Sequence, residues 1–154
     1  MSAPAVEVLL ADDNLADAEL IMLSLGEDLV GRIHHVYDGE EALDFLLCRA
    51  TYAQRAFEAP PRLIVLDIKL PKVSGLEVLE QIKRDPRTRS IPVVLLTSSR
   101  LEEDVLRGYQ LGANSYVQKP VEFERFRQIV RQLGAYWLGV NQPVPSRAFS
   151  GVSP

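Results

Sequence analysis

The sequence has little cysteine and no long apolar run. Cys48 is the only cysteine among 154 residues, so no disulfide can form within the chain and no thiolate cluster can hold a metal. No basic segment precedes the apolar residues near the amino terminus, as a secretion signal requires. No apolar stretch is long enough to cross a bilayer. We therefore expect a cytoplasmic protein without a membrane anchor.

Two nucleotide-binding signatures are also missing. The sequence contains neither a G-x-G-x-x-G turn nor a G-x-x-x-x-G-K-[ST] loop, which counts against a nucleotide-binding module. The formal net charge of −4 disfavours a DNA-binding surface, since such surfaces are basic. With 47% hydrophobic and 25% charged residues, the composition is that of an ordinary globular domain.

Apolar runs and segments with helical spacing alternate five times along the sequence. The predicted strands are 6–11, 32–37, 62–67, 91–97 and 115–118, and the predicted helices are 16–25, 40–48, 76–84, 102–111 and 122–137. This alternation predicts an α/β fold with a doubly wound, five-stranded parallel sheet. We expect the strand order 2-1-3-4-5, the flavodoxin-like arrangement of such sheets.

Two segments fall outside the alternation. Residues 49–62 are ambiguous; one interpretation extends the second helix to Ala56 and ends the segment as a loop at Pro60 and Pro61. From Val140 onward the chain is rich in Pro, Ser and Gly, which predicts an irregular or mobile segment. We therefore expect one domain over residues 1–138 and a C-terminal tail over residues 139–154.

Polar side chains end four of the five predicted strands. Asp12 and Asp13 follow the first strand, Asp67 the third, Thr97 the fourth and Lys119 the fifth. In the predicted order strands one and three are adjacent, so the three carboxylates would meet in one crevice. Like charges at that distance repel one another, and a divalent cation would offset the repulsion. Oxygen ligands with open positions suit Mg²⁺.

These side chains have the chemistry of phosphoryl transfer to an aspartate. Asp67 would be the nucleophile, which as an ionised carboxylate needs no general base. Lys119 would hold a phosphoryl oxygen and Thr97 would supply a hydroxyl. Taken singly, each residue has a plainer interpretation as a turn former, a helix cap or a solvated strand end. Their combination at the right strand ends favours the functional interpretation.

With these residues in place, the sequence resembles the receiver domain of two-component response regulators from about residue 6 to about residue 138. The segment 67–75 matches the loop of this family, with Leu70 where Met is commoner. The resemblance implies that Asp67 is the phosphoacceptor. It also implies Mg²⁺ ligation by Asp13, Asp67 and the backbone carbonyl of Lys69, with Asp12 acting mainly through water.

The resemblance implies a conformational switch as well. Thr97 would be the switch hydroxyl, Tyr116 the switch aromatic and Lys119 the phosphate-binding lysine. The resemblance also implies a cis Lys119–Pro120 peptide bond, and an X-Pro bond is where that isomer is accessible.

More narrowly, segment 12–17 and the tail beyond Trp137 resemble single-domain regulators that are paired with phytochrome-type histidine kinases. The implied partners are such a kinase and a downstream phosphotransfer protein. We expect no attached effector domain, so the output would pass through a partner. The implied activity is self-phosphorylation and slow autodephosphorylation rather than turnover of a substrate. The alternatives are an aspartyl-phosphate hydrolase, which Lys69 disfavours because such enzymes place an acid there, and a receiver-like module that only binds a partner.

The last predicted helix carries more apolar residues than the sheet requires. One stripe is sufficient to cover the sheet: Phe126, Val130, Leu133 and Trp137. A second set lies partly off that stripe: Phe123, Ile129, Tyr136 and Val140. This second set either packs under the tail or forms a homodimer face with the tail contacting the partner; we favour the dimer.

Overall fold

A five-stranded parallel sheet forms the centre of the computed structural model, which describes residues 5–149. The strands are β1 (Val8–Ala11), β2 (Ile33–Val36), β3 (Leu63–Leu66), β4 (Val93–Thr97) and β5 (Ser115–Gln118). Their order across the sheet is β2-β1-β3-β4-β5, so the predicted fold class and strand order are confirmed.

Helices connect each strand to the next and cover both faces of the sheet. They are α1 (Leu15–Leu25), α2 (Gly39–Leu46), α3 (Gly75–Arg84), α4 (Glu102–Gln110) and α5 (Phe123–Gly134). A π-helical turn, Ala135–Val140, continues α5. Within residues 5–149 no helix has the length and apolar character that a membrane span requires.

Three helices begin with side-chain caps directly after the carboxyl-terminal edge of the sheet. Asn14 accepts a hydrogen bond from the first turn of α1, Asp38 from that of α2 and Ser74 from that of α3. These short polar residues satisfy backbone N–H groups that have no partner within a helix. All three helices start beside the edge where the polar strand ends lie.

The alternation of side chains along each strand divides the core into two layers. Leu9, Ile64 and Leu66 pack on the side of α2 and α3. Val8 and Val65 pack on the opposite side, under α1 and α5. Because both faces of β1 and β3 are covered, their sequences are apolar at every position.

The segment after α2 is a loop, and the alternative of a helix reaching Ala56 is wrong. Cys48 and Ala50 have φ angles of 54° and 52°, left-handed values that a right-handed helix cannot contain. The guanidinium of Arg55 then lies 3.6 Å from the centroid of the Phe45 ring and donates to the Phe45 carbonyl. This contact holds the loop against α2.

The tail is anchored rather than mobile as far as Phe149. Residues 141–145 are irregular, but Ser146–Phe149 form a 3-10 turn, and Phe149, only 3% exposed, lies in the core layer of α2 and α3. The chain thus passes from α5 to the other face of the sheet, beside Pro61 and Pro92. A large aromatic side chain gains enough from burial to anchor an irregular backbone. Residues 150–154 of the predicted tail lie outside the described residues.

We expect the substitution Phe149→Ala to lower the free energy of unfolding by about 3 kcal/mol, because it removes a buried aromatic ring. Val144→Ala is the matched control, since Val144 lies in the same segment but is 38% exposed; it should cost about 0.5 kcal/mol. Urea denaturation measures both values. Equal effects of the two substitutions would contradict the anchoring role of Phe149.

Candidate functional site

Backbone hydrogen bonds between neighbouring strands fix the residues at the carboxyl-terminal edge of the sheet. Asp12 N donates to Val36 O at 3.2 Å, Asp67 N donates to Ala11 O at 3.0 Å, and Lys119 N donates to Thr97 O at 2.7 Å. Each polar residue therefore continues a sheet ladder for one position past its strand. The predicted residues Asp12, Asp67, Thr97 and Lys119 are thereby placed on one rim.

The ammonium of Lys119 lies among three carboxylates. Its Nζ atom is 2.8 Å from one oxygen each of Asp12, Asp17 and Asp67. Lys119 is only 6% exposed, and Asp12 and Asp67 are buried too. A single cation thus neutralises part of the charge of three acids that come from different parts of the chain.

This arrangement shifts the pKa values of the buried groups. Burial alone would lower the pKa of Lys119, but hydrogen bonds to Asp12, Asp17 and Asp67 outweigh it and raise that pKa above its ordinary value. The ammonium is therefore charged at neutral pH. Burial raises the pKa of Asp12, and the hydrogen bond to Lys119 and its positive charge oppose this only in part. Three carboxylates surround this one ammonium. The site thus retains an excess of negative charge that favours a further cation.

The two carboxylate oxygens of Asp67 have different surroundings. Oδ2 accepts a hydrogen bond from Lys119 at 2.8 Å. Within residues 5–149, the hydrogen bond that Oδ1 accepts is a long one of 3.4 Å from the backbone N–H of Lys69. Oδ1 therefore has lone pairs available for a bond to an electrophile or a metal.

Thr97 and Tyr116 are connected through the loop between β4 and α4. Thr97 is 1% exposed, and its hydroxyl accepts a hydrogen bond from Ser99 N at 3.4 Å. The Tyr116 hydroxyl donates to the Ser99 carbonyl at 3.1 Å, while its ring packs on the core and beside Gly108 of α4. A change at Thr97 can therefore reach Tyr116 through Ser99.

Asp13 differs from the other predicted site residues because its side chain is exposed. Among residues 5–149, no three His, Cys, Asp or Glu side chains are grouped so that they could hold a metal ion. Asp12 and Asp67 meet at the Lys119 ammonium as expected, whereas Asp13 is not grouped with them. The donor set still fits Mg²⁺, which binds through one or two carboxylates and otherwise keeps water molecules.

One sequence expectation needs correction, and one residue of the site was not predicted. Residues 5–149 contain no cis peptide bond, so the prediction of a cis Lys119–Pro120 bond is wrong; trans is the lower-energy isomer, and Lys119 reaches Asp67 with it. Asp17 was not predicted as a site residue. The sequence signal that could have identified Asp17 is its position in the first turn of α1, beside the acidic end of β1.

The chain belongs to the response regulator receiver domain family, whose model matches residues 8–131. This finding confirms the resemblance seen in the sequence. It defines the protein as the receiver domain of a two-component response regulator. Receiver domains bind Mg²⁺ or Mn²⁺ at their acidic phosphorylation site.

Two curated relatives match nearly the whole chain. The probable methanogenesis regulatory protein FilR2 of Methanothrix harundinacea is 43% identical over 136 residues, which are 88% of this chain and 85% of that protein. The response regulator Rcp1 of Synechocystis is 35% identical over 138 residues, 89% of this chain and 92% of that protein.

Solved structures of the same group superpose closely. The phosphorylated cyanobacterial phytochrome response regulator RcpA has a TM-score of 0.84 at 35% identity, covering 91% of this chain and 99% of that one. The Mn²⁺-bound form of Rcp1 has a TM-score of 0.83 at 34% identity, covering 92% and 99%. The chain is thus homologous to the phytochrome response regulators Rcp1 and RcpA.

Gly75 packs directly against the backbone that carries Asp67. A Cβ atom at Gly75 would lie 2.0 Å from the Asp67 carbonyl oxygen and 2.8 Å from Ile68 Cα. The N–H of Gly75 also donates to the Ile68 carbonyl at 2.8 Å. Only a glycine allows α3 to begin this close to the end of β3.

We expect Gly75→Ala to lower the free energy of unfolding by about 3 kcal/mol, because the added methyl group meets backbone that cannot move without shifting α3. Gly31→Ala is the control, since a Cβ there has nothing within 4 Å; it should change stability by about 0.5 kcal/mol at most. Urea denaturation compares the two variants. A Gly75→Ala protein as stable as the Gly31→Ala protein would refute the close approach.

Proposed function

We propose that Asp67 accepts a phosphoryl group from the phosphohistidine of a histidine kinase. The observation that carries the proposal is the buried Asp67 carboxylate, which has one oxygen on the Lys119 ammonium and the other without a strong partner. Lys119 offsets charge where the phosphoryl group would arrive, and the second oxygen is free to attack.

The transfer exchanges one bond to phosphorus for another. A lone pair of Asp67 Oδ1 forms the new P–O bond while the P–N bond to the kinase imidazole breaks. The electron pair of that bond stays on the imidazole nitrogen, and a neutral imidazole leaves because the phosphohistidine ring carries a proton on its other nitrogen when it reacts. Lys119 holds a phosphoryl oxygen as negative charge moves toward Asp67.

Mg²⁺ fits the proposed reaction. We propose that Asp13, Asp67 and the Lys69 backbone carbonyl hold the ion, with Asp12 bound through water. When bound, Mg²⁺ supplies charge neutralisation and orientation of the phosphoryl oxygens. Two direct carboxylates and one carbonyl require no cluster of three acidic side chains, and the excess negative charge of the rim favours the cation.

Phosphorylation would then act on Thr97 and Tyr116. The modification adds about −1.5 to −2 of charge and three acceptor oxygens. We expect the Thr97 hydroxyl to bond one of these oxygens and give up its hydrogen bond to Ser99 N. Because Tyr116 is bonded to the Ser99 carbonyl, the β4–α4 loop and the face formed by α4, β5 and α5 would shift together. The Tyr116 ring already packs on the core, so the change would start from an inward ring.

The partner kinase is proposed to be of the phytochrome type. The support is the homology to Rcp1 and to RcpA, which is itself a phytochrome response regulator. The output would pass to a binding partner or to a downstream phosphotransfer protein.

We expect Asp67→Asn to abolish labelling by acetyl phosphate in the presence of Mg²⁺, because the amide lacks a nucleophilic carboxylate. Asp28→Asn, which removes one exposed carboxylate far along the chain from the site, should be labelled like the wild type. Phosphate-affinity electrophoresis measures the modified fraction, with a reaction in EDTA as the blank. Labelling that persists in Asp67→Asn would place the acceptor elsewhere.

We also propose a homodimer through α5 and its π-helical extension. Ile129 and Tyr136 line one open groove together with Val117 and Trp137, and Val140 is exposed nearby in the sequence. Phe123 lies apart from them, in the cavity beside Lys119. Phe149 fills the core of its own chain, so we assign the contact to α5 and its extension rather than to the end of the tail.

The dimer predicts that Tyr136→Glu shifts the mass in sedimentation equilibrium from two chains to one, because a charge would be buried in the contact. Tyr37→Glu is the control, since Tyr37 is 50% exposed and Tyr136 is 49% exposed. It should sediment like the wild type. A wild-type protein that is monomeric throughout the concentration series would rule out this dimer.

A further inference from the structure

Asp17 is the most accessible of the three acids around Lys119. Its side chain is 28% exposed, against 1% for Asp12 and 10% for Asp67. It lies in the first turn of α1, where its backbone N–H donates to the Asn14 cap at 3.0 Å. Asp17 is therefore held at the rim by the start of a helix rather than by a strand.

Among residues 5–149, three carboxylates surround the Lys119 ammonium, which donates to Asp17 and Asp67 and forms an ion pair with Asp12 at the same distance. An ammonium has three N–H groups, and three carboxylate oxygens already lie 2.8 Å from its nitrogen. A phosphoryl oxygen must therefore replace one of these carboxylates. Separating a buried ion pair leaves a buried charge without its partner, which is costly, whereas an exposed acid regains water when its pair is broken.

An open cavity beside the ion pair of Asp17 and Lys119 gives solvent access to Asp17. Asp17 and Lys119 both line an open cavity of about 460 Å³ between α1, β5 and the start of α5. A carboxylate released from Lys119 at this position faces solvent. Asp12, in contrast, is 1% exposed and also accepts a hydrogen bond from Asn14 N, so it cannot leave as easily.

We propose that Asp17 competes with the phosphoryl group for Lys119 and thereby lowers the affinity of the site for phosphodonors. This inference rests on the proposed function of Asp67. Asp17 is a positioning residue: it acts on the reaction only through Lys119. It is not required to hold Lys119 in place, since Asp12 and Asp67 contact the same nitrogen at the same distance.

The test compares Asp17→Asn with the wild type in phosphorylation by acetyl phosphate and Mg²⁺, measured as rate against acetyl phosphate concentration. We expect the half-saturating concentration to fall about three- to tenfold, because one competitor for Lys119 has lost its charge. Beryllofluoride with Mg²⁺, a non-reacting phosphoryl analogue, should bind more tightly by a similar factor in isothermal titration calorimetry.

Two controls separate this competition from general charge and folding effects. Glu19→Gln removes the same charge from an exposed position on α1 and should leave both values within about twofold of the wild type. Asp17→Glu restores the carboxylate and should restore the higher half-saturating concentration. Far-UV circular dichroism confirms that each variant is folded.

The outcomes test the competition by Asp17 separately from the assignment of Asp67 as the phosphoacceptor. An unchanged or raised half-saturating concentration in folded Asp17→Asn would overturn the competition, as would an equal gain in Glu19→Gln. Labelling of Asp67→Asn in the same assay would instead overturn the assignment of the phosphoacceptor. Tighter beryllofluoride binding by Asp17→Asn, without tighter binding by Glu19→Gln, supports the role of Asp17.

Discussion

The structure depends on one buried ammonium that is shared by three carboxylates. Lys119 follows the edge strand β5, Asp67 follows the central strand β3, and Asp12 follows β1, so this contact spans most of the width of the sheet. A buried charge without a partner would be costly, and each of these groups therefore requires the others to be in place. Three carboxylates share this one ammonium, and the resulting excess of negative charge favours a divalent cation at the site.

The close approach of helices to the acceptor loop is the second constraint. Gly39 lies against the Val73 carbonyl, and Gly75 lies against the Asp67 carbonyl, each nearer than a Cβ atom would permit. These two glycines bring the starts of α2 and α3 onto the segment that carries the acceptor. The loop around Asp67 is thus held by backbone packing and is not free to adapt to a ligand.

The sequence was sufficient for the parts of the protein that repeat a simple pattern. Apolar strands and spaced helices predicted the order of the sheet, and polar strand ends predicted Asp12, Asp67, Thr97 and Lys119. The contact of Asp17 with Lys119 could not be predicted, because it depends on how the first turn of α1 is rotated over the rim. Left-handed residues such as Cys48 and Ala50 were missed because neither side chain favours that conformation locally. The anchoring of Phe149 depends on a gap between distant segments, which no local pattern reveals.

The path of the tail has a consequence for spectroscopic labelling. Phe149 joins the layer of α2 and α3, whereas α5 belongs to the opposite layer, so the connecting segment bridges the two layers at the end of the sheet away from Asp67. A fluorophore attached along residues 141–146 would therefore report whether the two layers stay together. A fluorophore on the β4–α4 loop would report the chemistry at the rim, so the pair could separate loss of folding from signalling in one sample.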